Sequence, residues 1–153
     1  MKLIVDADAC PREALEICRS AALEYAIELL TVSSFNHNIS GPNHTTVGNS
    51  PEEADFKIAN MASRGDIVVT QDMGLAALAL ARGAAALNTM GREYVDADMA
   101  LMLEQRAFRA RYRRGGGRTP GPRKRTAADD ESFRVGLATL LARLGSGEAH
   151  NSR

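Results

Sequence analysis

The chain has 153 residues, 44% of them apolar and 25% charged. That suits one globular domain of ordinary size and excludes a largely disordered, collagen-like or coiled-coil protein. Net charge is zero, but residues 1–104 carry 7 Lys/Arg against 15 Asp/Glu, while residues 105–125 carry 9 Lys/Arg and no acid.

Residues 2–7, KLIVDA, form a short apolar run that closes on acid and predict a buried strand. Pro11 opens a helix, where its missing N–H goes unneeded, and apolar residues at 14, 15, 18, 22 and 25 carry that helix to about Tyr25. Residues 27–33 predict a second strand. Residues 34–46 read as an irregular loop rich in Asn, Ser, Gly and His, with a short third strand near 45–48. Ser50, Pro51 and Glu53 form a capping box for a helix that runs to about Ser63. Arg64 and Gly65 then turn the chain into DIVVT, 66–70, a second acid-bordered buried strand. An Ala/Leu helix over 73–82 ends at Gly83, and residues 84–88 read as a short final strand. A further helix is expected over 96–110. Residues 114–125, RGGGRTPGPRKR, have neither helix nor strand signal, and Phe133, Leu137, Leu140, Leu141 and Leu144 space out a last amphipathic helix.

Strands alternating with helices imply an α/β fold: a mainly parallel sheet flanked by helices, with a basic Gly/Pro-rich linker and a C-terminal helix. The expected layout is a single domain over 1–145, with the basic linker at 113–125 inside it and a disordered tail at 146–153. No apolar run approaches the roughly 20 residues that cross a bilayer, and no secretory signal is expected. Two cysteines and three scattered histidines fit a structural zinc site poorly. A cytoplasmic protein with no membrane partner is expected, and homo-oligomerisation is left open.

Three acidic positions stand out. Asp6 and Asp8 follow the first strand, and ligands in open α/β sheets gather at the carboxyl ends of strands. Two carboxylates there repel each other unless something positive is shared, and Mg2+ or Mn2+ takes such hard oxygen ligands. Asp8 equally suits a helix cap, and Asp6 a solvated strand end. Asp72 ends the 66–70 strand in the same way, with Thr70 and Gln71 beside it to bond a ligand or orient the carboxylate; a plain N-cap is the alternative. Asp66 begins that strand, and at about 3.3 Å per residue it is too far from Asp72 to share a site, so it reads as a turn residue. Asp55 borders the inner face formed by Ala54, Ile58 and Met61, so packing can bring it to the strand ends; a surface acid favourable to the helix dipole is the other reading.

The basic stretch interleaves Arg106, Arg109, Arg111, Arg113, Arg114, Arg118, Arg123, Lys124 and Arg125 with Phe108 and Tyr112. Arginine pairs with phosphate in a bidentate way and aromatic rings stack on bases, a footprint for RNA in which Arg113, Arg114, Arg118 and Arg123 are the expected substrate contacts. The rival is an arm that folds back onto its own acidic body. Cys10 reads as a small buried residue rather than a reactive thiol. His37 and His44 flank the polar loop and are weaker candidates for substrate contact.

DADACP at 6–11, the acidic helix, GDIVVTQDMGLAALALARGA at 65–84, the GG…GP stretch, and Asp130 with Phe133 before the last helix resemble the YaiI/YqxD family of uncharacterised bacterial proteins. The resemblance covers about residues 3–141. It implies a fold like that of PIN-domain nucleases, whose acidic clusters bind Mg2+ or Mn2+ and cut RNA. On that basis Asp6 corresponds to the acid ending the first strand, Asp55 to the helix acid and Asp72 to the acid after the later strand, with Asp8 supplied by the family's own motif. PIN nucleases commonly carry a further acid beyond the one matched by Asp72. Residues 73–92 contain none, which leaves Asn88 as the nearest polar substitute and Asp8 to take over the role.

The expected function is a divalent-metal-dependent phosphodiesterase acting on RNA. Asp6, Asp8, Asp55 and Asp72 would hold the metal and carry catalysis, and Thr70, Gln71 and the arginines would hold substrate. Two alternatives remain. One is an aspartyl phosphatase of the haloacid-dehalogenase type, with Asp6 as nucleophile, Asp8 as general acid and Lys57 as its lysine. The other is a non-catalytic PIN-like RNA-binding module, which the missing acid favours.

Overall fold

Leu3, Ile4 and Val5 are wholly buried because their strand, β1 (Lys2–Asp6), lies inside a sheet covered on both faces. The computed structural model describes residues 1–34, 44–48, 51–118 and 123–151. After β1 come α1 (Arg12–Glu24), β2 (Glu28–Ser33), β3 (His44–Thr46), α2 (Pro51–Met61), β4 (Ile67–Val69) and α3 (Met73–Ala81). Then follow β5 (Ala85–Leu87), β6 (Glu93–Tyr94), α4 (Asp96–Arg114) and α5 (Ala127–Asn151).

The sheet order is β3-β2-β1-β4-β5-β6, and every neighbouring pair is parallel except β5 with β6. Side chains alternate along the strands, so the two faces collect different partners. Ile4, Val32, Val68 and Ala86 pack with Ala54 and Ile58 of α2 and Ala62 just after it, Leu75, Ala76 and Ala79 of α3, and Met99 of α4. Leu3, Val5, Ile67, Val69 and Leu87 pack with Ala14, Leu15 and Cys18 of α1 and with Phe133, Leu137, Leu140 and Leu141 of α5. Burying each large apolar side chain contributes about 1.5–3 kcal/mol, and the two layers together hold the sheet.

The topology places the site. The chain leaves β1 for β2 through α1 on one face, and leaves β4 for β5 through α3 on the other. Right-handed crossovers require this, because the two connections travel in opposite directions along the sheet. The connections that leave the carboxyl ends of β1 and β4 therefore diverge, which marks the switch point where ligand crevices form in open α/β sheets.

Several expected boundaries move. The strand at 85–87 is not the last, since the two residues of β6 pair antiparallel with it; two residues are too few to show a period. Helix α4 runs through Arg114, so the basic linker begins at Gly115 rather than 113. Helix α5 continues through residues 146–151, into the stretch expected to be a tail. Glu53 reaches back to accept from the Gly48 N–H at 2.8 Å, whereas its expected capping partner Ser50 lies outside the described residues. The turn after β5 docks directly on α5: Gly91 has φ +87°, and a Cβ there would lie 2.2 Å from the Ser132 carbonyl oxygen. Among the described residues no helix is long and apolar enough to cross a membrane.

Candidate functional site

Three carboxylates converge at the crevice. Asp6, the last residue of β1, is 6% exposed. Just beyond β4, the buried Thr70 hydroxyl donates to Asp6 Oδ2 at 2.9 Å and accepts from the Asp72 N–H at 3.0 Å. One hydroxyl thus ties together the two loops that carry the acids. Gln71 adds a second tie by donating from Nε2 to the Ala9 carbonyl at 3.1 Å. Tyr94 of β6 braces Thr70 from the far side, its hydroxyl donating to the Thr70 carbonyl at 3.2 Å.

Asp8 is held by Ser34, just past β2. The Ser34 N–H and hydroxyl both donate to Asp8 Oδ1, at 2.8 and 3.0 Å. Asp72 caps α3, its Oδ1 accepting from the Gly74 and Leu75 N–H groups at 2.7 and 3.3 Å. The N-cap alternative is therefore real for Asp72, but capping engages Oδ1 and does not remove its charge from the site.

Burial raises the pKa of Asp6, and the negative charges of Asp8 and Asp72 raise it further. The Thr70 hydroxyl and the Asp8 N–H, both bonded to the carboxylate, oppose this without reversing it. Tyr94 is pushed up likewise, by burial and then by the charge of Asp72. Asp8 and Asp72 thus place like charge beside the buried Asp6 carboxylate. Cys10 lies half-buried nearby. Burial pushes the thiol up to about 12, with the nearby Arg125 opposing and Asp6 adding to it. Both cysteines are free.

The remaining expected residues lie in other segments of the chain. Asp55 is half-buried in the second turn of α2, on the sheet face opposite α1, and Lys57 is exposed. Asn88 uses its Oδ1 to accept from the Met90 and Arg92 N–H groups, both at 2.9 Å, which shapes the β5–β6 turn. Asp66 lies at the opposite end of β4 and is a buried anchor rather than a simple turn residue, bonded by Lys2 and Ser63. His44 sits between the Thr31 and Ser33 hydroxyls at 2.6 and 3.0 Å, and burial followed by the charge of Arg19 lowers its pKa. His37 lies outside the described residues.

Comparison with known proteins now bears on this geometry. The family model described as "Uncharacterized BCR, YaiI/YqxD family" matches residues 4–143. The chain belongs to the YaiI/YqxD family. A UPF0178 protein of Heliobacterium modesticaldum is 48% identical over 141 residues, 92% of this chain and 97% of that protein. Another from Exiguobacterium sibiricum is 42% identical over 92% of this chain and 96% of its own length. A third, from Listeria monocytogenes, is 40% identical over 92% and 95%. No solved structure matches the chain.

In this YaiI/YqxD-family chain the basic stretch divides. Arg123 forms a two-bond pair with the buried Asp129 at 2.8 and 2.7 Å, and Arg125 donates to Asp130 at 2.5 Å and to the Thr89 carbonyl at 2.7 Å. These two are paired locally by the acids that open α5, not by the acidic 1–104 body onto which a rival arm was expected to fold. Arg113, Arg114 and Arg118 are exposed. Sequence reasoning missed Ser34 and Tyr94. Hydroxyls directly after an apolar strand were a signal for Ser34; Tyr94 had none, its strand being two residues long.

Proposed function

We propose that the chain is a divalent-cation-dependent phosphodiesterase acting on RNA, built on a PIN-like sheet and working in the reducing cytoplasm. The observation that carries this reading is the buried Asp6 carboxylate, tied through the Thr70 hydroxyl to the Asp72 loop at a topological switch point, where burial and then Asp8 and Asp72 raise its pKa. Carboxylates held together against their own repulsion are a receptor for a hard cation.

Among the described residues no three Asp, Glu, His or Cys side chains stand close enough to ligate one ion directly. The donor set instead fits an ion that keeps much of its water, as Mg2+ does with one or two carboxylates. Asp6, Asp8 and Asp72 are the residues that would hold it, directly or through water, with Asp55 from α2 as the fourth acid. A bound Mg2+ or Mn2+ supplies Lewis-acid polarisation of a phosphoryl oxygen and a water of lowered pKa. Thr70 fixes the Asp6 carboxylate in place. Ser34 orients Asp8, and Gln71 keeps the two acid-bearing loops in register. Arg113, exposed near the C-terminal end of α4, receives the polyanion.

The test is incubation of folded chain with single-stranded RNA, with Mn2+ or with EDTA. Cleavage is expected in Mn2+ only, and it should be lost in Asp6→Asn. RNA bound but never cut would instead mark a non-catalytic module, and a trapped phosphoaspartate at Asp6 would mark the phosphatase.

A further inference from the structure

Helix α4 outruns the core it packs on. Met99 in its first turns is buried against the α3 layer. At 3.6 residues per turn, Arg106 returns to that same face, and Arg109 and Arg113 extend it at i+3 and i+7. The inward side of the helix thus changes from apolar to cationic where the core ends. Arg106, Arg109 and Arg113, with Gln105 and Met73, line a cleft of about 300 Å3. Met73 is the first residue of α3 and directly follows Asp72, the cap of that helix. The cationic face therefore looks at the helix end that carries one of the three site carboxylates. Arg111 and Arg114 fall on other sides of α4 and do not line the cleft.

Arg106, Arg109 and Arg113 stand within two turns of one helix, and their like charges repel one another. Phe108 and Tyr112, at i and i+4, stand 64% and 51% exposed on the adjacent side of the helix. Exposed rings give unpaired bases a surface to stack on, which favours a single strand over a duplex.

We propose that the α3–α4 cleft grips the phosphodiester backbone of single-stranded RNA through Arg106, Arg109 and Arg113 and leads it to Asp72, with bases stacked on Phe108 and Tyr112. The inference rests on the RNA reading above and deepens it, because the cleft is lined by Arg106, Arg109 and Arg113 and not by Arg114, Arg118 or Arg123.

The test is binding of a labelled single-stranded RNA in EDTA, where nothing is cut, across a salt series. The double variant Arg106→Ala/Arg109→Ala should lose about tenfold in affinity and flatten the log–log salt slope by about 1.4, from two phosphate contacts of about 0.7 each. Arg111→Ala/Arg114→Ala should stay within about twofold of the wild type with its slope unchanged. Phe108→Ala/Tyr112→Ala should weaken binding and keep the slope. All these side chains are surface groups, and circular-dichroism melting confirms that each variant is folded. Equal losses in the two arginine doubles, tighter binding of duplex RNA, or no RNA binding by the wild type would overturn the inference. Cleavage in Mn2+ is scored separately. RNA held through this face but never cut refutes the hydrolytic reading and leaves the cleft standing; RNA cut equally well by both arginine doubles refutes the cleft and leaves the hydrolytic reading.

Discussion

Replacing Asp66 with Asn and Asp6 with Asn should move the melting temperature in opposite directions, although both are buried aspartates at the ends of adjacent strands. Asp66, 3% exposed, accepts from the Lys2 N–H at 2.8 Å and from the Ser63 N–H and hydroxyl at 3.0 and 2.9 Å, and it pairs with Lys2 Nζ at 3.1 Å. Burial works against its charge, but Lys2 and Ser63 outweigh burial and hold its pKa below the ordinary value. Breaking a buried, hydrogen-bonded ion pair costs about 3–5 kcal/mol, and the partial exposure of Lys2 puts this one near 3. A domain of this size shifts by about 2–4 °C per kcal/mol, so Asp66→Asn should melt roughly 6–12 °C lower. Because the folded pKa is depressed, this stabilisation is present above the ordinary carboxylate range and fades as pH falls through the folded value. Asp6 is the reverse case. Burial and then Asp8 and Asp72 raise its pKa, so its charge opposes folding. That penalty is absent in acid and grows as pH rises from the ordinary carboxylate range through the raised folded value. Asp6→Asn removes it and keeps an oxygen to accept from Thr70, so the variant should melt at or above the wild type near neutral pH. Calorimetric melts from acid to neutral pH check both signs. Asp6→Asn melting several degrees below the wild type at neutral pH would refute the claim that the site acids are held against their repulsion.

Gly91→Ala should lose about 3 kcal/mol in urea titration, because it places a Cβ at φ +87° and 2.2 Å from the Ser132 carbonyl oxygen. Native Cys10 should alkylate at mildly alkaline pH at least about a hundredfold more slowly than in the unfolded chain, since the thiolate is the nucleophile. Burial chiefly, with Arg125 opposing and Asp6 adding, pushes that thiol up to about 12. Mass spectrometry of timed quenches reads the rate, and fast native labelling would contradict the packing around Cys10.

The acid-ended strands were legible in sequence because the signal is local: Leu3–Val5 and Ile67–Val69 are apolar runs that close near an aspartate, announcing burial and a strand end together. The helices were legible through their period, and the distance of Asp66 from Asp72 through the rise of a strand. Membership of one α/β domain followed from the alternation of the two periods. Tertiary structure alone decided which distant residues meet. Thr70 bonds Asp6 across 64 positions and Ser34 bonds Asp8 across 26, because strand order and crossover handedness lay β2, β1 and β4 side by side. It also decided how the arginines divide. Composition treats the nine basic residues as one arm, but Arg123 and Arg125 meet the acids that open α5, while Arg106, Arg109 and Arg113 line a cleft beside Met73 of α3. A local pattern specifies period and burial; which charges oppose one another depends on the directions in which separate elements leave the sheet.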